Sequence, residues 1–145
     1  MNYANYKMAH QEPNWDKKFN AFLDALNSDW GGVNLQPSDK QTAGLVWLNG
    51  AKNKQATWYR ITQLGGGFKI VELAVDFTGV SANAWQGKDV LKIPDTIAMH
   101  DGGMEVAQGA HYLNLVGNTV SVTSGDTNGL TADSSTWGRF VYITN

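Results

Sequence analysis

Residues 68–77, FKIVELAVDF, constrain the fold more than any other stretch. Val71, Leu73, Val75 and Phe77 recur at every second position. Glu72 and Asp76 fall on the opposite side, with Ile70 and Ala74 beside them. Period two marks a strand with one face in a core and one toward water. Lys69 shares the apolar side and suits the strand's edge. Two more apolar runs precede it, residues 45–48 and 57–61. The three are separated by Asn49-Gly50-Ala51-Lys52-Asn53-Lys54 and by Gly65-Gly66-Gly67. Trp, Tyr, Phe, Val and Ile dominate the runs and suit a pleated, half-buried surface. Three such runs with short connections read as an antiparallel meander. A meander buries its apolar face only against a second sheet.

The remainder of the chain should supply that sheet. Residues 79–87 form a loop with Trp85 near its tip. Residues 88–93 read as a short strand stopped by Pro94. A strand end, a turn at Asp101-Gly102-Gly103 and a restart follow. Residues 112–116 and 119–123 read as hairpin arms, with Gly117-Asn118 as a turn that tolerates positive φ. Residues 124–136 are a polar loop. Residues 137–144 are the last strand, apolar on both faces, with Phe140 and Tyr142 against Val141 and Ile143. Such a strand is expected at the centre of a sandwich or at a subunit interface. Strands and helices do not alternate, which argues against a doubly wound fold. The expected fold is mainly β: an antiparallel β-sandwich, jelly-roll-like, with one short N-terminal helix.

Four segments are expected. Residues 1–14 are an extended arm or a disordered tail. Residues 15–27 are a helix, with Asn14 as N-cap and Asp16 in the first turn. Trp15, Phe19, Phe22, Leu23 and Leu26 make one apolar stripe along it. So short a helix is not stable alone. It packs either on its own β domain or against the same helix of neighbouring subunits. Residues 28–43 are a linker, set off by Gly31-Gly32 and Pro37, with Trp30 as an anchor onto the domain. Residues 44–145 are the β domain.

The chain can build a core without metal or disulfides at 145 residues. It has no cysteine, which removes a disulfide framework, a thiol nucleophile and a Cys-based zinc site. A net charge of −2 without clustered Lys and Arg argues against a nucleic-acid surface. No apolar run approaches membrane-spanning length, so no membrane insertion is expected. The polar opening MNYANYKMAH is not a secretory signal, so synthesis in the cytosol without ordinary export is expected. Charged residues make up only 17% and Trp numbers six, a balance found in β-rich chains that stack, oligomerise or bind sugars.

Glu72, Asp76, Asp95, Asp101 and Glu105 are the carboxylates a glycosidase pair would draw on. Such a pair needs a separation of roughly 5–10 Å in a cleft. Glu72 and Asp76 lie two pleats apart, too far for the shorter geometry, and no activated nucleophile is visible. The chain is therefore not expected to be an enzyme. His10, His100 and His111 are scattered without ligand spacing. Asp126, Asn128 and Asp133 lack the twelve-residue calcium pattern. No metal and no cofactor are expected. The aromatics are the better lead, because a flat ring with a polar rim suits the axial hydrogens of a sugar. Trp85 comes first, with Asn83 and Gln86 beside it. Trp58, Tyr59, Tyr112 and Trp137 follow. Trp85 is expected exposed, and Trp47 and Phe77 buried.

In the order LVWLNG, YRITQLGGGFKIVELAVDFTG, LKIPDTI, YLNLVGNTVSVTS and WGRFVYIT, the strands resemble the small C-terminal β domains of phage tail-fibre and baseplate proteins. The likeness is greatest to those of tailed phages of Gram-positive hosts. A short helical segment like WDKKFNAFLDAL often precedes such domains. The ending Ile93-Pro94 and the terminal Gly-aromatic strand are the nearest matches. The resemblance implies a homotrimer on the virion, with the β domain distal and the N-terminal segment toward other tail proteins. It also implies a saccharide of the host cell wall or surface as ligand. Two other readings stand beside it. One is a structural tail component that binds only phage proteins. The other is a carbohydrate-binding module outside phages.

Overall fold

The computed structural model describes residues 36–145 and, upstream of them, Lys17 and Ala21. The arm over residues 1–14, the helix expected over residues 15–27 and the linker before residue 36 lie outside the described residues. Trp30 does too.

Nine strands run through the described residues. They are β1 (Val46–Trp47), β2 (Lys52–Asn53), β3 (Trp58–Gly65), β4 (Phe68–Thr78), β5 (Gly87–Lys92), β6 (Met99–Gln108), β7 (His111–Gly117), β8 (Thr119–Ser124) and β9 (Thr136–Thr144). One sheet has the order β1-β5-β8-β7-β6. The second is built on β4. β2 and β3 pair with successive parts of one β4 edge, and β9 pairs with the other. Every pairing is antiparallel. The fold is mainly β, as the period-two runs require.

The alternation in β4 does what it promised. Val71, Leu73, Val75 and Phe77 are at most 1% exposed. They meet Phe140 and Tyr142 of β9 and the inward residues of the other sheet, Val90, Leu91, Leu113, Leu115, Val120 and Val122, in one apolar cluster. Gly138 sets how closely the two layers approach. A Cβ there would stand 2.7 Å from Leu113 Cδ1. Val80, Ile93, Ile97 and Leu130, from connections between strands, close the cluster. The Tyr142 hydroxyl donates to the Ile97 carbonyl, and the Thr144 hydroxyl to that of Ala98. These bonds tie β9 to the 3-10 turn at Asp95–Ile97 that leads into β6.

Four expectations change. The run at residues 45–48 does not join the meander. Val46 pairs with Lys92 and Trp47 with Leu91, so β1 belongs to the five-stranded sheet. Asn49 and Gly50 both take positive φ and turn the chain across to β2 on the other sheet. Trp47 is half-buried because β1 is an edge strand, whereas Phe77 is 1% exposed. The turn expected at Asp101-Gly102-Gly103 is an irregularity inside β6, where the pairing with β7 shifts between Met99 and Gly103. The last strand is not central either. β9 pairs with β4 alone among the described residues and buries every second residue. Thr136, Gly138, Phe140, Tyr142 and Thr144 face in, and Trp137, Arg139, Val141 and Ile143 face out. Its two-sided apolar character therefore leaves one apolar face open.

Candidate functional site: a cleft between two loops

Two loops stand side by side at one end of the molecule, one from β4 to β5 and one from β8 to β9. The second is shaped by Asp126. Its carboxylate accepts from the Ser124 hydroxyl at 3.2 Å and from the backbone N–H groups of Asn128 and Gly129 at 3.0 and 3.1 Å. An Asp that bonds backbone two and three residues on makes an Asx-type turn. Of the residues weighed against a calcium loop, Asp126 thus serves its own loop. Gly129 (φ +73) then comes against the first loop so closely that a Cβ would overlap the Ala82 carbonyl oxygen. Reciprocal backbone bonds between Ala82 and Leu130, at 3.0 and 2.8 Å, and from Gly79 N–H to the Ala132 carbonyl, at 2.8 Å, fasten the two loops together.

Between the loops lies a cleft of about 650 Å³, lined among others by Ser81, Asn83, Gln86, Lys88, Asn128 and Thr131. Its size falls within the usual range for small-molecule sites. The lining offers amides, hydroxyls and one ammonium group. The Lys88 ammonium is partly used, donating to the Ser81 carbonyl at 3.0 Å. Among the described residues, no carboxylate, histidine or aromatic ring lines the cleft.

Trp85 stands at the rim, between Ala84 and Gln86, which both line the cleft. Gln86 N–H donates to the Asn83 carbonyl at 3.1 Å, which closes a four-residue turn. Trp85 occupies its third position with φ +61, a place that favours Gly or Asn. Trp85 N–H donates to the Ser124 carbonyl at 3.0 Å, so the backbone is held while the side chain is 66% exposed. A bulky residue with positive φ is strained by about 1–3 kcal/mol, and such strain collects at functional sites.

The five residues singled out from the sequence separate into three places. Asn83 and Gln86 line the cleft, and Trp85 is on its rim. Tyr112 is half-buried on the outer face of the same sheet. It pairs with Thr123, which pairs with Gly87 on β5, so it sits about 10 Å from the base of the Trp85 turn by two strand spacings. Its ring lies over Gly125, where any side chain would collide with it. Trp58 is on the other sheet, 8% exposed. Its ring is faced by Lys40 Nζ at 4.4 Å, Arg139 at 5.6 Å and Arg60 at 5.7 Å. Arg60 and Arg139 both pair with Glu72. Trp137 shares a smaller groove with Trp58, of about 230 Å³, over Ala74 and beside Asp76.

Sequence reasoning missed Ser81, Lys88 and Thr131. The sequence marks residues 124–136 only as a polar loop, and nothing local indicates that Asp126 sets a turn there or which loop it faces.

Comparison with known proteins finds no matching family model, no matching curated protein and no matching solved structure.

Proposed function

We propose that this chain is a binding module, not an enzyme, which holds a saccharide in the cleft between the β4–β5 and β8–β9 loops. One observation carries the reading. A tryptophan is kept in a strained turn and exposed to solvent, beside a cleft lined by neutral amides and hydroxyls. Core packing has no use for such a residue, whereas a sugar ring takes its apolar face against an indole and its hydroxyls against amides. The lining is mostly neutral, and its one ammonium group, on Lys88, already donates to the Ser81 carbonyl, which favours a neutral polyol over a phosphate or a nucleic acid.

The strand sequences that resemble phage tail-fibre and baseplate domains set the context. The chain is a virion component of a tailed phage of a Gram-positive host, made in the host cytoplasm. It assembles as a homotrimer beside other tail proteins and binds a saccharide of the host cell wall or surface. The domain is a jelly-roll-like sandwich, a reading supported by the return of β9 to pair with β4 far back in the sequence. The alternative of a structural tail component draws support from the open apolar face of β9. A glycan array decides between the two. Binding to a host wall saccharide that is lost in Trp85→Ala, with the melting temperature unchanged, is the expected result. No binding to any glycan, with capture of other tail proteins, discards the saccharide reading. Light scattering should give the mass of three chains, and a mass of one discards the trimer.

A further inference from the structure

Two tryptophans flank β4 on the outer face of its sheet. Residues directly opposite in antiparallel strands share a face. One row across β3, β4 and β9 is Trp58–Ala74–Arg139, and the next holds Asp76 and Trp137. The small Ala74 side chain stands on β4 between the two rings. The middle of the sheet therefore stays low, and a groove of about 230 Å³ opens there. The strands on its two sides are about 10 Å apart, two strand spacings. The volume falls below the usual range for small-molecule sites, which suits one ring and not a chain of them.

Trp137 is both exposed and held. Its side chain is 58% exposed. The Gln108 side-chain amide, on β6, donates to the Trp137 carbonyl at 2.9 Å and accepts from its indole N–H at 3.2 Å. The one polar group of the indole is thus satisfied within the protein, and its apolar surface is left to solvent. The ring is oriented before anything binds, which lowers the entropy cost of capture.

We propose that this groove is a second ligand site, which takes a single neutral sugar ring stacked on Trp137, with its hydroxyls on Asp76 and Arg139. The site shares its class of ligand with the loop cleft but none of the lining residues, and it does not depend on the cleft. A flat indole suits the apolar face of a pyranose. Among the described residues, the Asp76 carboxylate accepts from one side chain, the Ser135 hydroxyl at 3.4 Å, and so keeps acceptor capacity. The Arg139 guanidinium meets Glu72 at 3.3 Å through Nη1, and its side chain is 59% exposed, so it keeps donors. A hydroxyl both donates and accepts, so one polyol satisfies carboxylate and guanidinium together. Charge sets the class. Lys40, Arg60 and Arg139 face the Trp58 ring, which disfavours a cationic ligand. Asp76 lies in the groove, and Glu72 already pairs with Arg60 and Arg139, which disfavours an anionic one.

One ring bonded at a few points is held weakly, so the test uses high sugar concentration. The isotope-labelled wild-type chain is titrated with glucose, galactose and N-acetylglucosamine while its six indole N–H signals are followed by NMR. Trp137→Phe and Trp85→Phe assign the two signals that matter. The Trp137 signal should move saturably with at least one of the sugars, and glycerol at equal concentration should leave it in place. Asp76→Ala should weaken that binding about tenfold, the loss of one hydrogen bond to a charged group. The remaining indole signals, unmoved, report that the variant is folded. A Trp137 signal that ignores every sugar, or follows glycerol as closely, overturns the site. Unchanged affinity in Asp76→Ala overturns the placement of the ring. Tighter binding of glucosamine or glucuronate than of glucose overturns the neutral class. Movement of the Trp85 signal alone overturns this site and keeps the loop cleft. Movement of the Trp137 signal alone keeps this site and removes the sugar from the cleft.

Discussion

Gly129 and Ala82 meet backbone to backbone, with no room for a side chain on the glycine side. This contact joins the two loops that make the cleft. It also explains how a turn of the type Asp-x-Asn-Gly becomes part of the cleft wall. The Asp126 carboxylate sets the turn, the positive φ of Gly129 aims it, and the Ala82–Leu130 bonds lock it.

Gly129→Ala should therefore damage the cleft more than the fold. The new Cβ meets both an unfavourable φ and a carbonyl oxygen. Left-handed strain costs about 1–2 kcal/mol, before any repulsion is counted. Chemical denaturation should show a loss of that order or slightly more. Ligand affinity should fall further than in a surface control away from the cleft such as Gln55→Ala, whose residue is exposed and does not line it. Equal stability and equal affinity would mean that the loops are not fastened here.

Gly138→Ala tests the packing of the two sheets. Gly138 has ordinary φ, so backbone strain plays no part. Its missing side chain is what lets β9 lie against Leu113 and Val106. Overpacking a close-packed interior costs about 1–3 kcal/mol. Leu113→Val in the same chain frees space near the new methyl. The double variant should lose less than the two single losses added, because contacting sites couple. Strict additivity would place the clash elsewhere.

Tyr142 predicts the alkaline behaviour. Burial holds its phenol well above the usual tyrosine value near 10, because the phenolate would be desolvated. Above pH 10 or so, the unfolded chain releases this proton while the folded chain keeps it. Stability from this group is thus complete below that point and falls as pH rises beyond it. Tyr142→Phe should cost about 1–3 kcal/mol at neutral pH, since the Ile97 carbonyl loses its donor. The same variant should show a shallower decline above pH 10 in denaturant titrations. Parallel declines would show that another group carries the alkaline transition.

How far the fold was legible depended on whether a residue's neighbours were near in sequence. The alternation of Val71, Leu73, Val75 and Phe77 states a face by itself, and that face is the core. The Gly117-Asn118 turn joins strands only a few residues apart, so the β7–β8 hairpin was readable. Two apolar residues at Val46 and Trp47 say nothing about which sheet they join. That is settled by β5, some 40 positions on, and by the reversal at Asn49 and Gly50. β9 misled for a related reason. Val141 and Ile143 allowed either a central strand or one at a subunit interface, and the sequence does not say which of two apolar faces lies inside the fold; the pairing of β9 with β4 alone among the described residues removes the first option. The loop position and exposure of Trp85 were visible. The cleft beside it was not, because Ser81 and Asn128 come together only through the Gly129–Ala82 contact.

Trp85→Gly separates binding from stability most sharply. If Trp85 were a packing residue, its removal would cost about 3–5 kcal/mol, as for any buried tryptophan. Its exposure of 66% speaks against that. At φ +61 the indole residue is strained, and glycine takes this conformation freely. Relief of about 1–2 kcal/mol is set against a glycine entropy cost of about 0.5–1 kcal/mol. The melting temperature should therefore stay level or rise slightly. Trp85→Ala keeps the strain, loses the ring and should be no more stable than wild type. Both variants should lose the saccharide equally, because both lose the stacking surface. A rise in stability joined to a loss of binding would mean that the turn is strained in order to present the ring. Unchanged saccharide affinity in Trp85→Gly would remove Trp85 from the site and leave the cleft to Asn83, Gln86 and their neighbours.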